Sequence, residues 1–257
     1  MLVDSHCHLD YIVSRNPDDS IKDIIDRAIS NGVKHMLSVC IDLEQFNTLR
    51  DIAASYDNVN ITIGVHPTDV DPDNIVSKEK LMELADNDYV VAFGETGLDY
   101  YHDESNIAAQ KISFRSHIEA SIATKKPLVI HARDSFVDIF DILDEYADQN
   151  VTGVMHCFTG TMQEALRAIE MGFYISFSGI ITFKNARELQ QVAASLPLDK
   201  MLIETDSPYL APMPYRGKIN EPSYVKYVAQ ALADLHGVSL DEVMNITTNN
   251  FHTLFKC

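Results

Sequence analysis

Short apolar runs alternate with longer stretches of helical spacing along all 257 residues of the chain. Runs of the first kind predict strands over 2–8, 35–40, 60–66, 90–95, 127–133, 153–158, 173–177 and 200–206. Between them, apolar positions recur at helical spacing. Ile21, Ile24, Ile25, Ala28 and Ile29 share one face, and Asn31-Gly32 ends that helix. Further helical patterns begin near Leu43, Lys78, Ile107, Phe136, Gln163 and Ala186. Largely apolar strands alternating with helices imply parallel strands covered by helices. Eight such units close into an α/β fold of the (β/α)8 TIM-barrel type, spanning residues 1–257 as a single domain. Two last helical patterns, over 223–236 and 240–255, are expected to complete the outer ring of helices. Asn220-Glu221-Pro222 reads as the entrance to the first, and Ser239 with Glu242 forms a capping box before the second. His236, Met244, Phe251 and His252 read as surface or packing residues of these helices.

Composition narrows the setting. The chain is 46% hydrophobic, enough for a large core, yet no apolar run approaches the ~20 residues that a membrane span needs. No basic region followed by an apolar stretch opens the sequence, so a cytoplasmic location is expected. Cys7, Cys40, Cys157 and Cys257 show no paired spacing and read as reduced thiols. With 20 Lys+Arg against 38 Asp+Glu, the formal net charge of −18 repels a long nucleic-acid duplex. It favours a small substrate, or a polyanion that enters only locally through metals and a few cationic side chains. Most of these acidic residues need no role beyond keeping the protein soluble.

The polar residues that interrupt the strands are concentrated at one end. His6 and His8 are two apart near the end of the first strand, so by alternation both imidazoles project to one side and Cys7 to the other. Alone, that pair suits either a metal or a polar strand end with two hydrogen-bonded histidines. The other strand ends carry His66, Glu95, His131, His156 and Asp206, and the C-terminal ends of barrel strands form the active face. One divalent metal centre explains them together. His6, His8, Glu95, His131, His156 and Asp206 are six ligands, more than one catalytic ion needs, so the count favours two ions with Glu95 as the bridge. Between two such ions a water becomes a nucleophile at neutral pH. The same alternation argument turns the sulfurs of Cys7 and Cys157 into the packing layer under the helices.

The motifs 6-HCHLD-10, 64-GVHP-67, 94-GETGLDY-100, 130-IHARD-134, 156-HCF-158 and 204-ETDSPYLAP-212 together resemble the TatD-related deoxyribonucleases. The match runs end to end. That family belongs to the amidohydrolase-like metal-dependent barrels and includes exonucleases acting on DNA ends. The resemblance implies that His6, His8, Glu95 and Asp206 hold one ion while Glu95, His131 and His156 hold the other. It also implies that His66 contacts a substrate phosphate. On this basis the expected activity is hydrolysis of phosphodiester bonds at the ends of single-stranded DNA, or RNA, of the 3'-5' exonuclease type. Two divalent ions (Zn, Mn or Mg) would serve it, and Asp206 would deprotonate the attacking water. Neither a membrane nor an obligate protein partner is indicated.

Around the ligands, Glu204 shares the face of Asp206 and reads either as a hydrogen-bonding support for the ligands or as a plain barrel-core carboxylate. Arg133, on the face of His131, would meet a phosphate or pair with Asp10 or Asp99. Arg216 and Lys218, in the loop after the last ligand, are candidates for a phosphate clamp. Tyr100 and Tyr101 are placed to stack on a base or to pack against protein. Thr68, Tyr215 and Ile219 depart from the commonest family pattern, and substrate choice is where those departures bear. The rival reading is a metal-dependent amide, lactone or ester hydrolase, including an aminoacyl-tRNA deacylase. A non-catalytic metal-binding scaffold is the rival of another class.

Overall fold

In the computed structural model, which describes residues 1–102 and 105–257, eight parallel strands pair in sequence order, each with the next. They are β1 (Leu2–Cys7), β2 (Val33–Ser38), β3 (Val59–Ile63), β4 (Val90–Asp99), β5 (Leu128–Arg133), β6 (Gly153–Met155), β7 (Tyr174–Phe177) and β8 (Met201–Ile203). The helices are α1 (Leu9–Arg15), α2 (Ile21–Ser30), α3 (Phe46–Ser55), α4 (Lys78–Ala85), α5 (Ile107–Thr124), α6 (Phe136–Asp144), α7 (Met162–Glu170), α8 (Arg187–Ser195), α9 (Val225–His236) and α10 (Leu240–Phe255). The expected eight-stranded α/β barrel is present, nearly closed. Helix α1 is an addition that the periodicity did not predict.

Two apolar layers hold it together. An outer one packs strand residues such as Met36, Ile61, Phe93, Ile130 and Ile175 against the helices. The inner one fills the barrel with Val3, Leu37, Val39, Ala92, Val129, Val154 and Leu202. Phe251, Leu254 and Phe255 of α10 belong to this inner cluster. Helix α10 therefore does not complete the outer ring as expected. It is the floor of the barrel, where Asn250 Nδ2 donates to Leu198 O and Met201 O at 2.9 and 2.8 Å. A stripe of three aromatic and aliphatic side chains reads alike in either place, which is why periodicity alone misassigned it.

Strands β1 and β8 meet at a seam held by few bonds. Among the described residues, a single bridge there pairs Cys7 with Ser207. Around it, Asp206 N donates to His6 O at 2.9 Å and His8 N to Ser207 O at 2.8 Å. The buried Asp4 carboxylate adds bonds from Thr205 N at 2.8 Å and Thr205 Oγ1 at 2.6 Å. A side chain here does the work that ladder hydrogen bonds do elsewhere in the sheet.

Candidate metal centre

Several strands stop sooner than their apolar runs suggested, and the polar residues stand where the ladders end. His8 follows β1, His66 lies three residues past β3, His156 directly follows β6, and Asp206 lies three residues past β8. Glu95 and His131 remain inside β4 and β5. In β1, Val3 faces the inner cluster and the Ser5 hydroxyl meets Ser176 Oγ at 3.3 Å. Simple alternation would then send Cys7 inward. A register irregularity between Asp4 and Cys7 shifts the phase, so that His6 faces the site and Cys7 joins the outer layer. Close approach of β4 to β5 requires glycine at 97, where φ is +133° and an added Cβ would lie 2.1 Å from His131 O.

The side chains converge on Glu95. Its Oε1 lies 2.7 Å from His156 Nε2, 2.9 Å from His131 Nδ1 and 3.5 Å from His66 Nε2. Its Oε2 lies 3.3 Å from His6 Nε2 and 3.9 Å from His8 Nε2. Asp206 Oδ1 completes the second group at 3.7 and 3.6 Å from those nitrogens. One carboxylate thus presents one oxygen to each of two sets of imidazoles.

Electrostatics favour cations in both halves. Burial alone would raise the Glu95 carboxyl, but His156, His66, His6 and His131 hold it well below the usual carboxylate range. Burial works against the His156 imidazolium, yet Glu95 and Glu204 raise its pKa well above the ordinary value. His8 is raised as well, against its burial, by Asp206 and Glu95, and His131 by Asp99 and Glu95. Burial and His156 lower His6, while burial pushes His66 down to about 3.

The donor set fits divalent metal. His8 Nδ1 lies 3.0 Å from Val39 O and donates to it, which leaves a bare Nε2 facing the carboxylates and His6 Nε2 at 3.2 Å. Acceptors face acceptors there unless a cation lies among them. Among the described residues, the buried His6 Nδ1 and both His156 nitrogens have no hydrogen-bond partner; His156 Nε2 is near Glu95 without the alignment a hydrogen bond needs. Among the described residues, three groupings have donor atoms all within 4.8 Å of one another: His6, His156 and Asp206; His6, His8 and Glu95; and His66, Glu95 and His131.

The family model described as TatD related DNase matches residues 3–256. The chain belongs to the TatD-related DNase family. It is 44% identical over 255 residues to the Escherichia coli K12 protein named uncharacterized metal-dependent hydrolase YcfH, covering 99% of this chain and 95% of that protein. It is 30% identical over 239 residues to the Salmonella typhimurium 3'-5' ssDNA/RNA exonuclease TatD, covering 91% and 92%. The crystal structure of YjjV, a TatD homologue from Escherichia coli K12, matches with a TM-score of 0.91 at 27% identity over 100% of this chain and 98% of that one. As a TatD-family member the chain is a metal-dependent hydrolase.

This TatD-family centre opens into a cleft of about 720 Å³. His66, which the resemblance assigned to substrate, stands as close to Glu95 as the ligand candidates do, with Thr68 Oγ1 2.7 Å from its Nδ1. Glu204 is fully buried. It accepts from Cys157 N at 2.6 Å and Ser176 Oγ at 2.7 Å, and its Oε1 is 3.5 Å from His156 Nδ1. Arg133 lines the cleft with its guanidinium 4.8 Å over the exposed Tyr101 ring, and among the described residues no ion pair joins it to Asp10 or Asp99. Tyr100 faces away, donating to Asp138 at 2.5 Å.

Two expectations need correction. Arg216 and Lys218 do not line the cleft. Their charges rest 4.4 Å over Phe183 and 5.6 Å over Tyr215, because aromatic faces within the surrounding loops hold them. Cys157 is not in the packing layer. Its φ of +44° breaks strand alternation just after His156, so it lines the cleft with Sγ 3.3 Å from Ser178 Oγ. Asp99, considered only as an ion-pair partner, proves to be the buried companion of His131, 3.0 Å from its Nε2. Its even spacing from Glu95 along β4 is the signal that would have found it.

Proposed function

We propose that this chain removes nucleotides from the end of a single-stranded nucleic acid by hydrolysing phosphodiester bonds at a centre of two divalent ions. The observation that carries the reading is the division of Glu95, with Oε1 toward His131 and His156 and Oε2 toward His6 and His8. In this reading His6, His8, Glu95 and Asp206 hold one ion, and Glu95, His131 and His156 the other. Mixed imidazole and carboxylate donors suit Zn or Mn, and Mg to a lesser degree. Bound there, such ions make water nucleophilic at neutral pH and polarise the bond under attack.

The chain's own groups do the rest. Asp206, the more exposed of the two carboxylates at 15% against 4% for Glu95, is ionised and accepts the proton of the attacking water. Arg133, aided by the Tyr101 face, holds a phosphate or base at the cleft mouth. His66 orients the scissile phosphate, and Glu204 keeps His156 and the backbone at 157 in place. The name of the Salmonella relative supports this substrate class. The whole chain acts as one catalytic domain, and its four free thiols suit the cytoplasm.

One observation favours a second reading. Arg133 is the single arginine or lysine among the described residues lining the cleft, which also presents Ile41, Ile180 and Leu210. Such walls suit a neutral carbonyl ester, lactone or amide. The test is a panel of end-labelled single-stranded DNA, RNA, aminoacyl-tRNA and small esters, each with added Zn, Mn or Mg. Stepwise shortening of the labelled DNA with metal is expected; turnover confined to the carbonyl substrates would select the second reading.

A further inference from the structure

In this acidic chain Arg27, Arg50, Arg115 and Arg167 each rest against a carboxylate. Arg15 does not. Among the described residues the exposed Arg15 forms no ion pair and no side-chain hydrogen bond. Its guanidinium lies 4.4 Å over the ring of Tyr209, which lines the cleft and is 37% exposed. An aromatic face steadies a guanidinium while leaving its N–H edge free for an anion. The backbone seats both partners. Arg15 ends α1, which begins directly after His8. Tyr209 N donates to Asp206 O at 3.0 Å, and Asn220 Nδ2 donates to Tyr209 O at 2.6 Å. The Tyr209 ring centre is then 6.3 Å from that of His8, so Arg15 stands one side chain away from the ligand set.

The barrel fixes where this pair stands relative to the other arginine–tyrosine stack. Arg15 and Tyr209 follow β1 and β8, whereas Tyr101 and Arg133 belong to the ends of β4 and β5. With the strands paired in sequence order and β1 bridged to the segment after β8, the two stacks are half a turn of the barrel apart, and the cleft that holds Glu95 opens between them. We propose that Arg15, seated on Tyr209, is a second phosphate subsite, so that a single strand lies across the mouth and is held on both sides of the bond that is cut. The chemistry matches: a planar fork of N–H donors with a full charge recognises phosphate, and it offers a local foothold on a chain whose net charge is −18. A small neutral ester has nothing for Arg15 to hold. Full affinity therefore requires a strand with a phosphate beyond the scissile one, on the side away from Arg133.

The inference rests on the nucleic-acid reading, and the experiment separates the two. Labelled single-stranded DNAs phosphorylated at both ends are compared with strands that lack a terminal phosphate or carry one uncharged methylphosphonate linkage, using parent, Arg15→Ala and Arg15→Lys with added Zn, Mn or Mg. In the parent, removing charge beside the cleaved bond should lower kcat/KM at two positions, one on each side. Arg15→Ala should raise KM by about 10-fold on the fully charged strand with kcat kept, and become insensitive to charge at one of those positions. Arg15→Lys should restore part of both. Equilibrium binding of a strand whose terminal linkages are unreactive methylphosphonates gives a second readout: the slope of log K against log salt should shrink by about 0.7 in Arg15→Ala. A residue that only caps the C-terminal end of α1 would shift the melting temperature and neither of these. Parent-like KM and salt slope in Arg15→Ala, or a loss equal on every strand, would overturn the subsite. A parent that cuts no strand with any of the three metals would defeat the nuclease reading instead, and the salt slope would still decide whether Arg15 meets a phosphate.

Discussion

At the scale of single residues, cations near the cleft divide by what their charge rests on. Arg133 stacks on an exposed tyrosine at the mouth, whereas Arg216 and Lys218 are held over rings outside it. If a phosphate is bound, Arg133→Ala should lower kcat/KM on single-stranded DNA by roughly 10-fold or more, about 1.4 kcal/mol of lost stabilisation. The Arg216→Ala/Lys218→Ala protein should stay within about 3-fold of the parent. Steady-state cleavage of a labelled oligonucleotide at low and moderate salt checks both, and the opposite ranking would return the clamp to the loop. Individual chemistry was legible where side-chain type alone decides it. His6, His8, Glu95, His131, His156 and Asp206 were read as a set because six such side chains seldom gather at strand ends by chance, and the structure brings them together around Glu95. Asp99, Arg133 and Cys157 were harder, since their roles depend on which neighbour faces them and on one backbone angle.

At the scale of elements, the strands and every helix but α1 followed from periodicity, while docking did not. Helix α10 has an ordinary apolar face, and nothing in its spacing says that Phe251 enters the barrel from below. Phe251→Ala should cost about 3 to 5 kcal/mol of stability while leaving metal content per folded molecule unchanged, since the floor lies at the opposite end from the centre. Denaturant unfolding with metal analysis of the folded fraction tests this. Helix α5 makes a different connection. Its buried His117 takes a bond from Val65 N at 3.2 Å, and His117 Nδ1 donates to Ser113 O at 2.7 Å, tying the helix to the loop that carries His66. Burial pushes this imidazole down to about 4. The unfolded chain takes up its proton near pH 6.5 but the folded chain resists until about pH 4, so stability falls with pH across that window. Between about pH 7 and pH 5 the group should account for about 2 kcal/mol of lost stability. His117→Gln should flatten the unfolding free energy over that interval by a similar amount; an unchanged slope would show that the ring is not held neutral.

On the scale of the whole molecule, the order of eight strands and the face that carries the chemistry were readable in advance, because each strand–helix unit announces itself locally. The seam was not, since it joins the first strand to the last, with partners such as Asp4 and Thr205, 201 residues apart in sequence, through a few bonds. It also changes what a bound ion does for the fold. His6 and His8 stand on one side and Asp206 on the other, so an ion held as proposed would act as a cross-link closing a loop of about 200 residues, worth up to about 5 kcal/mol on chain-entropy grounds. Removing metal with a chelator should therefore lower the melting temperature. It should also speed amide exchange at the edges β1 and β8 well before the paired centre at β4 and β5. In this barrel the catalytic ions would double as the fastener of the cylinder, and a chain that loses them would begin to unroll at the place where its first and last strands meet.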